Sequence, residues 1–141
     1  MISQLIYTSD AAEGLTDADL GCILATSQRN NAEMGLTGML LYGRGRFIQV
    51  LEGPPDVLER MMARIAADER STHVHTLLTR TIEARDFADW SMGFHRLTDA
   101  DWVNHPAVNH FFDQPLDVSH FNAYGSPARF MLQAFRDLTA P

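Results

Sequence analysis

Three kinds of side chain in this sequence could act together on one bound molecule: the phenol of Tyr7, the primary amide of Gln49, and the adjacent amides Asn30 and Asn31. Gln49 is the most telling. It lies in Arg46-Phe47-Ile48-Gln49-Val50-Leu51-Glu52-Gly53, a run with the composition of a core strand, and the two-residue strand period places it on the face of Phe47 and Leu51. A buried amide without hydrogen-bond partners costs about 1–3 kcal/mol. Another strand, a water molecule or a ligand must therefore bring polar groups to that face. Amides both donate and accept, so Gln49 and Asn31 suit the polar edge of a planar heterocycle, with Phe47, Ile23 and Leu40 as apolar walls. Spacing leaves an alternative open, a closed core in which Tyr7 and Gln49 bond only to each other.

The elements that must position these groups follow from periodicity and punctuation. Ser3 to Ser9 is predicted to form a first strand, with Leu5 and Tyr7 on one face and Gln4 and Ile6 on the other. Thr16 is a predicted N-cap, followed by acidic Asp17 and Asp19 and a stripe of Leu20, Ile23, Leu24 and Ser27, in a helix ending near Asn30-Asn31. After Gly35 and Gly38, Met39 to Tyr42 reads as a second strand that Gly43-Arg44-Gly45 turns into the strand carrying Gln49. Pro54-Pro55-Asp56 opens a second helix whose apolar face is Val57, Leu58, Met61, Met62 and Ile65, running to about Asp68. Thr76 to Ile82 and Met92 to Leu97 are two further strands, separated by a loop around Asp86 to Trp90. This βαββαββ order predicts an α+β, ferredoxin-like sheet with two helices on one face and the first and third strands as central neighbours. Tyr7 and Gln49 then meet. The order does not assign a neighbour to the fifth strand.

From Thr98 the pattern changes. Pro106, Pro115 and Pro127 interrupt a segment holding seven of the thirteen aromatic residues, and Ser126-Pro127 starts a helix with Phe130, Met131, Ala134, Phe135 and Leu138 on one side. Residues 1–97 are thus expected to form the main domain. Residues 98–141 are expected to form a C-terminal helical extension that covers the open face of the sheet or, through the same aromatics, mediates dimerisation or docks a partner.

Composition removes several functions. The 141 residues suit one domain, and a net charge of −7 with an isoelectric point near 5.2 argues against nucleic acid or an anionic membrane as a direct partner. All eleven basic residues are arginine, which excludes a lysine Schiff base. A single cysteine, no signal-peptide pattern and no run of about 20 apolar residues predict a soluble cytoplasmic protein without a membrane span. Cys22 is expected to be a small buried helix residue. His73 and His75 could share a strand face as metal ligands, but spacing suggests no third ligand, and His105, His110 and His120 are expected to be exposed or capping, so no metal is predicted. Gly43-Arg44-Gly45 joins two strands and is a hairpin turn rather than a phosphate loop, and no Gly-x-Ser-x-Gly elbow occurs. Asp17, Asp19, Glu52 and Asp56 are assigned to caps and turns.

Five blocks carry a resemblance: Leu5-Ile6-Tyr7-Thr8-Ser9, Ser27-Gln28-Arg29-Asn30-Asn31, Gly35-Leu36-Thr37-Gly38, Phe47-Ile48-Gln49-Val50-Leu51-Glu52-Gly53 and Trp90-Ser91-Met92. In this order they resemble the BLUF family, blue-light sensors using FAD, over roughly residues 1–97. The remainder is similar to the helical cap of short, stand-alone members. The resemblance implies FAD between the two helices, with Asn31 at the polar edge of the ring, Asn30 assisting, and Ser27 and Ile23 on the helix side. It implies that Gln49 bridges Tyr7 and the flavin, with Trp90 and Met92 responding nearby, and it leaves open which of these two adjoins Gln49. Arg64 and Asp68 match positions toward the flavin's far end, and Arg29 is a phosphate candidate. The implied mechanism is a light-driven transfer of an electron and a proton from Tyr7, whose return leaves the Gln49 amide rotated or tautomerised. The implied function is a non-enzymatic photoreceptor, a homo-oligomer that is dimeric or larger, signalling to a separate effector protein. The alternatives are an FAD-dependent oxidoreductase and a ferredoxin-like binding module without flavin.

Overall fold

The computed structural model describes residues 1–88, 92–98, 100 and 129. Trp90, the C-terminal helix expected from Ser126 and the histidines at 105, 110 and 120 lie outside the described residues. Seven elements follow in order: β1 (Ile2–Ala11), α1 (Asp17–Met34), β2 (Thr37–Gly43), β3 (Arg46–Gly53), α2 (Pro55–Ala67), β4 (Ser71–Ile82) and β5 (Gly93–Arg96). They build one sheet in the order β4-β1-β3-β2-β5, with β3 at its centre between β1 and β2 and both helices on one face, the ferredoxin-like α+β arrangement. β5, the strand without an assigned neighbour, runs parallel to β2 at the edge, pairing Met39 with Gly93 and Tyr42 with Arg96.

Local chemistry explains most boundaries. Thr16 and Asp19 form a reciprocal capping box: the Asp19 N–H donates to Thr16 Oγ1 at 3.1 Å, and the Thr16 N–H donates to Asp19 Oδ2 at 3.0 Å. Arg44 and Gly45, both at positive φ (50° and 73°), make the tight turn whose twist suits a two-residue hairpin. Pro55 occupies the first turn of α2, where a missing N–H costs no helical bond.

The two helices differ in how they meet the sheet. Leu58 and Met61 of α2 are buried against Leu5, Tyr7, Leu40, Phe47 and Leu51. In α1 only Leu20 and Asn31 are buried along eighteen residues. The helix therefore stands off the sheet along most of its length. On the opposite face Ile6, Met39, Leu41, Ile48 and Val50 are also buried.

Four expectations change. α1 continues one turn past Asn30-Asn31 to Met34, because Gly35, at φ 71°, caps it and donates its N–H to the Asn31 carbonyl. β4 begins at Ser71 rather than Thr76, since Ser71 and Thr72 pair with Ala11 and Asp10 of β1. Cys22 is exposed: it lies off the stripe of Leu20, Ile23 and Leu24 and faces outward. Glu52 sits at no turn but on β3, fully buried at 0% exposure.

Candidate functional site

The register of the sheet creates the site. Tyr7 on β1 is directly opposite Gln49 on β3, and Gln49 is directly opposite Leu40 on β2. Tyr7 and Gln49 are each 5% exposed, and the phenol donates a hydrogen bond to Gln49 Oε1. On its other side the amide approaches Met92, just ahead of β5, with Nε2 donating to Sδ at 3.4 Å. A thioether is a weak acceptor. Among the described residues the amide makes only these two hydrogen bonds, which leaves one N–H and one carbonyl lone pair for an occupant above it.

That occupant has a place. A cleft of about 740 Å³, counting its open mouth, lies between the helices and the sheet. Tyr7, Leu40, Phe47 and Gln49 form its floor, and Ile23, Ser27, Asn30 and Asn31 its α1 wall. This cleft explains why α1 buries so little. Asn31 is only 1% exposed, and its carbonyl accepts the N–H of Leu36 at 2.8 Å, so the chain exit at Gly35-Leu36 fixes where its side chain begins.

Charge concentrates at the rim. Arg64, Asp68 and Arg70 line it, and Arg70 grips Asp68 through Nη2–Oδ2 at 2.7 Å and Nε–Oδ1 at 3.0 Å. The Arg70 hydrogen bonds hold the Asp68 carboxyl below its ordinary range. Burial, and secondarily the Asp68 charge, push the Tyr7 phenol above its ordinary value, so Tyr7 is a neutral donor.

Of the residues singled out from sequence, Tyr7, Ile23, Ser27, Asn30, Asn31, Leu40, Phe47, Gln49, Arg64 and Asp68 all line the cleft. Met92 does not line it but touches Gln49. Arg29 is exposed on α1 and is not among the lining residues, because it falls one position from the inward stripe of Ser27 and Asn30. Sequence reasoning missed Ser9 and Leu51, each two residues along a strand from a chosen one, and Arg70, two residues beyond Asp68 and its ion partner. It also gave no role to Gln28, whose Nε2 donates to the Met92 carbonyl at 3.4 Å. Strand and helix periods could have found Ser9, Leu51 and Thr26; nothing in the sequence announces the contact of Gln28.

The donor set suits a flavin ring: buried amides at one edge, apolar faces, and guanidinium groups at the open end. Comparison with known proteins points the same way. The model of the BLUF family, described as sensors of blue light using FAD, matches residues 2–93. Photoactivated adenylate cyclase subunit beta of Euglena longa is 37% identical over 92 residues, and its Euglena gracilis counterpart is 35% identical over 92; each match covers 64% of this chain. The chain spans about a tenth of those relatives, 11% in each case. Among solved structures, the dark state of BlrB, a BLUF protein, superimposes with a TM-score of 0.77 at 25% identity, covering 94% of this chain and 96% of that one. The ground state of BlsA gives 0.72 at 26% identity, covering 100% and 90%.

Proposed function

The chain belongs to the BLUF family of blue-light sensors, and from that premise we propose that it holds FAD in the cleft beneath α1 and α2 and acts as a photoreceptor, not an enzyme. The observation that carries this is the file of contacts from Tyr7 through Gln49 on the cleft floor to Met92 beside it. Asn31, Asn30 and Gln49 would hold the polar edge of the ring, Ile23, Ser27, Leu40 and Phe47 its faces, and Arg64 with the Asp68–Arg70 pair its far end. When bound, FAD supplies absorption of blue light and an acceptor for one electron and one proton.

The chain's own residues do the rest. Tyr7 releases an electron and its hydroxyl proton and takes both back. Gln49 is left with its amide rotated or tautomerised. A rotated amide turns its carbonyl toward Met92 Sδ, where Nε2 had donated, and turns its NH₂ toward the phenol, which must then accept. Two hydrogen bonds change, a difference on the order of 1–3 kcal/mol, enough to shift a two-state equilibrium several-fold or more. Met92 loses its reason to stay and moves. We place residues 1–97 as the photosensory domain and 98–141 as the segment that passes this movement by contact to an effector protein. The Euglena relatives, named as cyclase subunits, illustrate a match of this kind within a larger protein. A homo-oligomer in the cytoplasm, without direct contact to nucleic acid or membrane, completes the reading; no described helix is long and apolar enough to cross a membrane.

The test is spectroscopic. Protein purified with FAD is expected to be yellow and to show a small, reversible red shift after blue light. Consumption of a nicotinamide or other reductant, without a reversible shift, would instead establish the oxidoreductase. A protein that takes up no flavin would leave only the binding module.

A further inference from the structure

Glu52 has no part in the cleft. It stands three residues past Gln49 on β3, on the opposite face of the sheet, fully buried. Four donors fill its carboxylate. Oε1 accepts from the Thr37 hydroxyl at 3.0 Å and the Phe87 N–H at 2.8 Å; Oε2 accepts from Gln4 Nε2 and the Asp86 N–H, both at 2.8 Å. Such complete pairing is what a buried carboxylate requires. The informative part is where two of the donors come from: consecutive backbone amides of the segment that leaves β4 and leads, five positions later, to Met92.

The same segment is tied down around Glu52. Arg85 donates through Nη1 to Thr37 Oγ1 at 2.9 Å and to the Glu52 carbonyl at 3.1 Å, and through Nη2 to the Gly35 carbonyl at 2.7 Å. The Asp86 side chain accepts from Gln4 Nε2 at 2.8 Å and from Arg129 Nε at 3.3 Å. Phe87 is 1% exposed. Met92 itself is held at the far end by the Gln28 bond to its carbonyl and by the pairing of Gly93 with Met39.

We infer that Glu52 is a positioning residue: by binding the Asp86 and Phe87 amides it sets where the chain re-enters the sheet, and so where Met92 stands against the Gln49 amide. The meaning of that contact for light sensing rests on the photoreceptor reading above; the anchoring itself does not. One strand thus carries both the amide, on the cleft face, and the fixed point for the amide's thioether partner, on the other.

The test uses the full, FAD-loaded chain in the dark. Glu52→Gln keeps the shape but replaces one acceptor oxygen by an NH₂ donor, which strands one of the two loop amides. Exchange of the Asp86 and Phe87 amides with deuterium is expected to accelerate at least tenfold, and the methyl carbon resonance of Met92 to shift or broaden. The Met61 methyl, in the core beneath α2, is expected to stay in place, which a general loosening would not allow. Glu83→Gln, which removes the same charge from an exposed position of the same loop, is expected to change neither. Unchanged exchange at 86 and 87 would overturn the anchor; faster exchange with an unmoved Met92 resonance would overturn the positioning role. If Glu52→Gln does not fold, Glu52→Asp decides the matter, because it keeps the charge but draws the carboxylate one methylene away from the Asp86 and Phe87 amides: the same two signals are expected to move in the same direction, and no movement refutes the inference. A parent protein inert to light would sink the photoreceptor reading without touching these dark measurements.

Discussion

The hydrogen bond between Tyr7 and Gln49 can be weighed by a double-mutant cycle. Both residues are 5% exposed, so neither can exchange its partner for bulk water. Tyr7→Phe leaves Gln49 Oε1 without its phenol donor, and Gln49→Leu leaves the Tyr7 hydroxyl buried against a hydrocarbon. Each single change is expected to cost about 1–3 kcal/mol, the desolvation of one unpaired group. The double variant removes both polar groups and strands neither, so its cost should fall short of the sum by about 1–2 kcal/mol. Urea denaturation of the flavin-free chain, in the dark, reads all four corners of the cycle. Additivity within about 0.5 kcal/mol would mean that the two groups do not interact, and the mechanism built on their contact would fail.

Other consequences are as definite. Because burial and Asp68 raise the Tyr7 pKa in the folded chain above its ordinary 10.0, the neutral phenol's contribution is fully present below about pH 10 and is lost as pH rises further. Stability there should fall by up to about 1.4 kcal/mol per pH unit more in the parent than in Tyr7→Phe, measured by denaturation between pH 8 and 11. A Cβ at Gly38 would lie 1.9 Å from the Val50 carbonyl oxygen, so Gly38→Ala is expected to destabilise by about 3 kcal/mol or more. Gly21→Ala, on open helix surface with nothing within 4 Å, is expected to stabilise by about 0.5–1 kcal/mol. Met92→Ala should preserve the light-induced spectral shift and abolish any light-dependent change in amide exchange at 86 and 87; persistence of that change would exclude Met92 as the carrier.

Much of this arrangement is legible in the amino-acid sequence because local signals and topology agree. The Thr16–Asp19 box, the Arg44-Gly45 turn and Pro55 announce their elements. Once the order βαββαββ is read, the central pairing of β1 with β3 brings Tyr7 to Gln49. The failures have a common cause in long-range contacts. Asn30-Asn31 resembles a helix end, yet the polar side chains turn into the cleft and Gly35 supplies the stop. Ser71 to His75 looks like a loop, yet β1 offers a partner that outweighs weak local propensity. Glu52 resembles a turn residue, and its four donors come from positions 4, 37, 86 and 87, which no local pattern brings together.

The most direct measurement is the absorption spectrum of the FAD-loaded protein before and after blue light, taken on the parent and on Gln49→Leu. The parent is expected to shift reversibly to longer wavelength and recover in the dark, while Gln49→Leu binds FAD, stays yellow and does not shift. A full, reversible shift in Gln49→Leu would show that the amide at position 49 is not the switch.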